Sequence, residues 1–148
     1  MAGLGHVVFY VQELGRSVRF YTEVVGLDLQ GSIFNGRAAL LSGGSTHHEL
    51  LLIQVGAADG PLQGKRIGLY HVGWKVGDSL DQLKSVYARI NALGYSVDAL
   101  SDHTISQSIY LRDPDGNEVE LYVDDPDVDW RHDKSWMESP VKPLTLDS

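Results

Sequence analysis

Hydrophobic and polar residues alternate along residues 106–124, and this alternation predicts two strands joined by a tight turn. In the turn, residues 113–116, proline presets one backbone angle and glycine accepts a positive one. Side chains on one face of a strand repeat every second residue, so the second strand has two different faces. The apolar face comprises Val119, Leu121 and Val123. The opposite face comprises Glu118, Glu120 and Tyr122. Acids and a phenol stand where a plain sheet would carry valine or threonine, so we interpret this second face as functional.

The same order of elements is predicted twice along the chain. Apolar residues at helical spacing predict helices at residues 14–25 and 79–93, ended by Gly26 and Gly94. Strands are predicted at residues 4–11, 27–34, 37–41, 48–55, 69–76, 95–100, 105–112 and 117–123. The first strand of each half has a similar sequence, LGHVVFYV in one and LYHVGWKV in the other. The chain therefore contains a β-α-β-β-β unit twice.

This repeat predicts an α+β fold in which two paired βαβββ modules form a curved, cup-like sheet with the helices on its outer face. We predict a first module at residues 1–56, a linker at 57–68, a second module at 69–123 and a C-terminal arm at 124–148, together making one domain. The arm contains Trp130 and Trp136, which are uncommon in a free tail, so we expect it to pack as irregular structure.

Two histidines hold equivalent positions in the repeat. His6 and His71 each lie in the first strand of a module, on the face that alternation directs away from the helix. With Glu120 they would supply two imidazoles and one carboxylate, the ligand set associated with non-haem Fe(II) oxygenases. Leu50 and Leu52 stand where the first module would need its own acid, so the pattern predicts one three-ligand metal site. The alternative is that all three are solvated or hydrogen-bonded strand residues.

Composition restricts the possible partners and locations. The net charge is −8 and no basic cluster is present, which argues against binding of nucleic acid or an anionic membrane. The chain has no cysteine, which excludes disulfides, a thiol nucleophile and cysteine ligands. The first residues lack a basic segment and a cleavage site, and their apolar run is too short to span a bilayer. We therefore expect a soluble cytoplasmic protein.

Three stretches resemble the vicinal oxygen chelate superfamily, which includes glyoxalases, bleomycin-resistance proteins and dioxygenases. They are GHVVFYVQELGRSVRFYTEVVGLDL near the start, YHVGWKV in the second module and YLRDPDGNEVELY near the end. Within the superfamily, the chain is most similar to a small single-domain type I extradiol ring-cleavage dioxygenase. The resemblance implies that His6, His71 and Glu120 hold Fe(II), with Mn(II) or another divalent metal as the alternative. It also implies dioxygen-dependent cleavage of a catechol-type aromatic diol, and a homodimer or higher homo-oligomer.

The same resemblance implies three catalytic residues. His48 corresponds to an acid–base histidine, whereas alternation alone does not decide whether His47 or His48 faces the site. Tyr110 corresponds to an active-site tyrosine. The hairpin turn places it across from Glu120, although an ordinary strand tyrosine with a solvated hydroxyl is the alternative. His103 resembles a further histidine of a His-Thr pair, and it lies two residues closer to Tyr110 than in the family pattern.

Two other functional classes stay open at this point. One is a lyase, epimerase or thiol transferase that uses Ni, Zn, Mn or Co, and the other is a metal-free binding protein of the same fold. The missing acid in the first module argues against a four-ligand glyoxalase-like site. The combination of His6, His71 and Glu120 argues against a metal-free binder. Metal analysis of the purified protein distinguishes all three classes.

Overall fold

The computed structural model describes residues 1–147 and shows two units, each with one β-sheet and one α-helix. Unit 1 comprises Met1–Lys65 together with Asp113–Gly116, and unit 2 comprises Arg66–Arg112 and the chain from Asn117 onward. The predicted α+β class is confirmed. Within the described residues, every helix is too short or too polar to cross a membrane.

Unit 1 follows the predicted order of elements. In chain order it contains β1 (Val7–Val11), α1 (Leu14–Phe20), a π-helical turn (Tyr21–Val25), β2 (Asp28–Ile33), β3 (Ala38–Ser42) and β4 (Leu50–Gln54). The strands lie in the order β1-β4-β3-β2, with β1 parallel to β4 and the other pairs antiparallel. The helix ends as predicted at Gly26, which adopts a φ of 94°. The sequence did not predict that its second half would be a π-helix.

The core of unit 1 forms where α1 and the π-helical turn cover one face of the sheet. Its largest fully buried side chains are Val11, Phe20, Tyr21, Val24, Leu41, Leu50 and Leu52. The hydroxyl of Tyr21 donates a hydrogen bond of 2.8 Å to Asp113 Oδ2. Burial and the neighbouring carboxylate of Asp113 raise the pKa of Tyr21 well above its ordinary value, so the phenol stays neutral. The turn at residues 113–116 therefore belongs to the packing of this unit, with Arg16 Nη2 also 2.8 Å from Asp115 Oδ1.

Unit 2 repeats this arrangement with one added strand. It contains β5 (His71–Gly77), α2 (Leu80–Ala92), β6 (Val97–Asp102), β7 (Ser106–Arg112), β8 (Glu118–Asp124), a 3-10 helix (Ser135–Glu138) and β9 (Lys142–Pro143). The strand order is β5-β8-β7-β6-β9, and β5 is parallel to β8. Helix α2 starts at the N-cap Ser79 and is followed by Gly94 with a φ of 83°. It packs on β5, β7 and β8, so the other face of these strands is left for polar side chains.

The packing of unit 2 confirms the predicted core face. Val119, Leu121 and Val123 are almost fully buried, together with Leu83 and Ile90 of α2 and Ile109 and Leu111 of β7. The C-terminal arm contributes a strand that the sequence did not predict. In it, Pro143 pairs with Ser101 and Lys142 with Asp102 at the edge of β6.

Candidate functional site

The polar face of the unit 2 sheet brings several predicted site residues together. In the parallel pair, His71 lies opposite Glu118, and Gly73 lies opposite Glu120. On the other side of β8, the hairpin pairs Tyr110 with Glu120. The predicted position of Tyr110 across from Glu120 is therefore confirmed.

His71 lies between two carboxylates. Its Nε2 is 3.0 Å from Glu120 Oε2, and its Nδ1 is 2.8 Å from Glu118 Oε2. All three side chains are largely shielded from solvent. The structure thus brings two of the three predicted metal ligands into contact. It also shows that Glu118, for which the sequence indicated no role, contacts the other imidazole nitrogen, Nδ1.

The second oxygen of Glu120 is held by hydroxyl groups. Ser108 Oγ donates to Glu120 Oε1 at 2.6 Å, and the Tyr110 hydroxyl donates to the same oxygen at 3.2 Å. Burial and the Glu120 charge raise the pKa of Tyr110 to about 12, so the phenol stays protonated near neutral pH. Oε1 is therefore occupied by donors, while Oε2 points toward His71.

His103 extends this network from the loop between β6 and β7. Its Nε2 lies 2.8 Å from the Tyr110 hydroxyl. The next residue, Thr104, has a φ of 72°, which is uncommon for a β-branched side chain. Its N–H donates to Asp102 Oδ1 at 2.8 Å, and the His103 N–H donates to the Ser106 carbonyl at 2.8 Å. A tight, strained loop therefore holds the His103 imidazole against Tyr110.

Gly73 leaves room for the Glu120 carboxylate. A Cβ atom added at Gly73 would lie 3.2 Å from Glu120 Oε2 and 3.5 Å from Tyr122 Cε1. The first distance is shorter than a comfortable van der Waals contact, so a larger residue would displace the carboxylate. The missing side chain is thus part of the geometry of the His71–Glu120 pair.

A pocket of about 480 Å³ opens beside this network. It is lined by Tyr70, Asp98, Ala99, Ser101, His103, Tyr110, Arg112 and Glu118. The charge of Glu118 raises the pKa of Tyr70. Arg112 lies 3.3 Å from Asp98 and 3.7 Å from Glu118 through two different nitrogens. Polar groups therefore dominate the wall of a cavity large enough for a single-ring aromatic molecule.

The other two predicted site residues, His6 and His48, lie close together in unit 1. The rings of His6 and His48 lie 4.9 Å apart, and His47 Nδ1 is 2.6 Å from His48 Nδ1. Desolvation, followed by the neighbouring imidazoles of His47 and His6, lowers the pKa of His48. Between residues 1 and 147, no three histidine, aspartate or glutamate side chains are arranged to hold a metal ion. The three-ligand set of His6, His71 and Glu120 therefore stays a prediction.

The family of the chain follows from comparison with known proteins. Residues 3–121 match the model of the Glyoxalase/Bleomycin resistance protein/Dioxygenase superfamily. The chain belongs to this superfamily. The family predicted from the three sequence stretches is confirmed, and the matched range includes all six predicted site residues.

Relatives of this superfamily domain include proteins named as dioxygenases. The chain is 30% identical over 132 residues to Catechol-2,3-dioxygenase of Bacillus subtilis (strain 168), which covers 88% of this chain and 45% of that protein. It is 26% identical over 151 residues to Biphenyl-2,3-diol 1,2-dioxygenase 3 of Rhodococcus globerulus, covering 95% of this chain and 75% of that protein. The chain thus spans less than half the length of the Bacillus enzyme.

Solved structures show the superfamily fold under more than one name. A glyoxalase/dioxygenase from Nostoc punctiforme has a TM-score of 0.71 and 17% identity, covering 83% of this chain and 91% of that one. Lactoylglutathione lyase from Agrobacterium tumefaciens has a TM-score of 0.61 and 24% identity, and the match covers 83% of this chain and 94% of that one. At these identities the likeness establishes the fold alone.

The unit 2 residues suit a divalent metal, which the resemblance to extradiol dioxygenases implies. An imidazole nitrogen and a carboxylate oxygen are suitable ligands for Fe(II), Mn(II) or Zn(II). His71 Nε2 and Glu120 Oε2 point toward each other, and Gly73 adds no side chain beside the carboxylate. The remaining Glu120 oxygen and the remaining His71 nitrogen are both held by protein groups. Two candidate ligands are therefore preorganised in this superfamily member.

Proposed function

We propose that this protein is an Fe(II)-dependent extradiol dioxygenase that opens the ring of a catechol-type diol with dioxygen. The observation that carries the proposal is the contact of His71 with Glu120, joined through Tyr110 to His103. Two relatives named as catechol and biphenyl-diol dioxygenases support it. Their names, together with the sequence resemblance, suggest the diol substrate.

The proposed ligands are His6, His71 and Glu120, with Mn(II) or another divalent ion as the alternative to Fe(II). When bound, the metal would supply the site for dioxygen and for the two diol oxygens. The contribution of the chain is to hold the ligand atoms. Ser108 and Tyr110 fix one oxygen of Glu120 and leave the other directed at His71.

Tyr110 is proposed to orient the substrate as a hydrogen-bond donor. Its hydroxyl already donates to Glu120 Oε1, so its role is to donate a hydrogen bond rather than to act as a base. An N–H on His103 Nε2 can donate to the phenol oxygen at 2.8 Å, which leaves the phenol hydrogen for Glu120 or a substrate oxygen. His48 is proposed as the residue that accepts and returns the diol proton, as the family resemblance implies.

Turnover of diols by the iron-loaded chain tests the proposal. The protein would be purified anaerobically, loaded with Fe(II) and supplied with catechol, substituted catechols and 2,3-dihydroxybiphenyl. We expect oxygen consumption matched by a coloured ring-opened product, with no activity after chelation of the metal. Stoichiometric iron binding without turnover of any diol in the panel would contradict the dioxygenase assignment. Ni or Zn in place of Fe in the protein as purified would favour the lyase class instead.

Two broader properties are also proposals. A cytoplasmic location and a homodimeric or larger assembly follow from the sequence and from the family resemblance. Light scattering coupled to size-exclusion chromatography measures the assembly directly. A purely monomeric protein across the concentrations tested would contradict the second of these.

A further inference from the structure

Glu118 lies in the candidate site without a role in the proposed reaction. It precedes Glu120 by two positions on β8, so both carboxylates project from the same face. Across the parallel pair it stands directly opposite His71. Its side chain is only 11% exposed, and its Oε2 lies 2.8 Å from His71 Nδ1. A carboxylate this shielded, in contact with a candidate ligand, calls for a physical explanation.

The chemistry of imidazole provides that explanation. A histidine that binds a metal through Nε2 must present a lone pair there, and its proton then resides on Nδ1. A carboxylate that accepts this Nδ1–H selects the tautomer, fixes the ring orientation and makes Nε2 a stronger donor. In this structure Nε2 faces Glu120 and Nδ1 faces Glu118. The two carboxylates therefore occupy different positions around one imidazole.

We propose that Glu118 is the positioning residue of His71 and sets its affinity for the metal. The proposal rests on the metal site of the proposed function, in which His71 and Glu120 are ligands. Glu118 itself does not need to touch the metal, since its contact is with the opposite nitrogen of the ring.

Glu118 is itself held in place, as a positioning residue must be. Arg112 Nη2 lies 3.7 Å from its other oxygen, Oε1. Arg112 in turn contacts Asp98 through Nε at 3.3 Å. Contacts between charged and polar side chains thus link Asp98 through Arg112 and Glu118 to His71. This network lies beside the proposed ligand pair, along the wall of the pocket.

Metal affinity separates this role from a merely structural one. The metal-free chain would be titrated with Co(II) in competition with a chromophoric chelator, as wild type, E118L, E118Q and E138Q. We expect E118L to bind Co(II) about 10- to 100-fold more weakly. E118Q should lie between E118L and the wild type, because an amide oxygen still accepts the Nδ1–H but carries no charge. E138Q is the matched control, since it makes the same carboxylate-to-amide change at an exposed residue of the C-terminal arm.

A spectroscopic measurement keeps the test decisive if E118L folds poorly. In the Zn(II)-loaded wild type, proton–nitrogen correlation spectra of the imidazoles should show His71 protonated at Nδ1 and bound through Nε2. Binding through Nδ1 would overturn the proposal, as would an E118L affinity within twofold of the wild type in a folded protein. Thermal unfolding of the metal-free variants identifies a loss that comes only from misfolding.

The Co(II) titration tests the role of Glu118 independently of the diol assay. Weakened Co(II) binding in E118L supports the role of Glu118 even if no diol is cleaved. Diol cleavage with unchanged metal affinity in E118L overturns the inference and leaves the proposed function standing. Absence of Co(II) binding in the wild type overturns the inference, because His71 would then not be a ligand.

Discussion

His71 Nε2 lies 3.0 Å from Glu120 Oε2, and the parallel pairing of β5 with β8 creates this contact. The two side chains come from neighbouring strands and share the face that α2 leaves uncovered. An imidazole and a carboxylate placed in this way can bind one ion without rearrangement of the backbone.

Replacement of either His71 or Glu120 by alanine should abolish tight metal binding. In H71A and E120A we expect the bound metal per chain to fall from near one to near zero after desalting. E138Q serves as the control, because Glu138 is an exposed residue of the C-terminal arm. Metal content measured by plasma emission spectroscopy checks this prediction. Retention of stoichiometric metal in both variants would remove the pair from the site.

The Tyr110 hydroxyl should matter for turnover more than for folding. Y110F keeps the ring but removes the hydrogen bonds to Glu120 and His103. A hydrogen bond to a charged group contributes about 1.5–3 kcal/mol, so we expect kcat/KM to fall about 10- to 100-fold. Steady-state oxygen uptake with catechol measures the change. Y87F, on helix α2, is the control and should retain wild-type kinetics; equal kinetics for Y110F would contradict the assigned role.

An alanine at position 73 should disturb the metal site without disturbing the fold. Its Cβ would lie 3.2 Å from Glu120 Oε2, which forces the carboxylate to move by a few tenths of an ångström. We expect G73A to bind Co(II) several-fold more weakly while its melting temperature changes by only a few degrees. G31A is the matched control, because Gly31 also lies in a strand and has open space around its Cβ position. Unchanged Co(II) affinity in G73A would show that the carboxylate tolerates the displacement.

Tyr21 should make the stability of the fold sensitive to alkaline pH. Its pKa is raised by burial and by Asp113, above the ordinary value of 10.0. As pH rises above 10, the unfolded chain releases the phenolic proton while the folded chain retains it, so the free energy of unfolding should fall. Urea unfolding at pH 8 to 11 measures this slope, and Y21F should show a shallower one. At pH 8, Y21F should also be less stable by about 1.5–3 kcal/mol, because buried Asp113 loses a donor.

Comparison with Y87F makes the Tyr21 prediction specific. Tyr87 is partly exposed on α2, so its replacement should leave the alkaline slope close to that of the wild type. An identical slope in Y21F and the wild type would mean that the buried phenol does not govern alkaline unfolding.

Local features of this protein could be predicted from the sequence because they depend on short-range geometry. Periodicity and glycine predicted the ends of both helices at Gly26 and Gly94. A four-residue turn was sufficient to pair Tyr110 with Glu120, since a tight turn sets the register of its two strands. The superfamily, too, was recognisable from the sequence alone and is confirmed by the match over residues 3–121.

Contacts between distant parts of the chain were decided only by the tertiary structure. His71 and Glu118 are separated by 47 positions, and their contact depends on the register of two parallel strands that no short turn connects. Tyr21 and Asp113 are 92 positions apart, so the helix pattern gave no sign of this buried hydrogen bond. Alternation along β8 showed that Glu118 and Glu120 share a face. Which nitrogen of His71 each carboxylate contacts depends on how β5 lies against β8. Side-chain packing between these two strands sets the distances from the imidazole to Glu118 and Glu120.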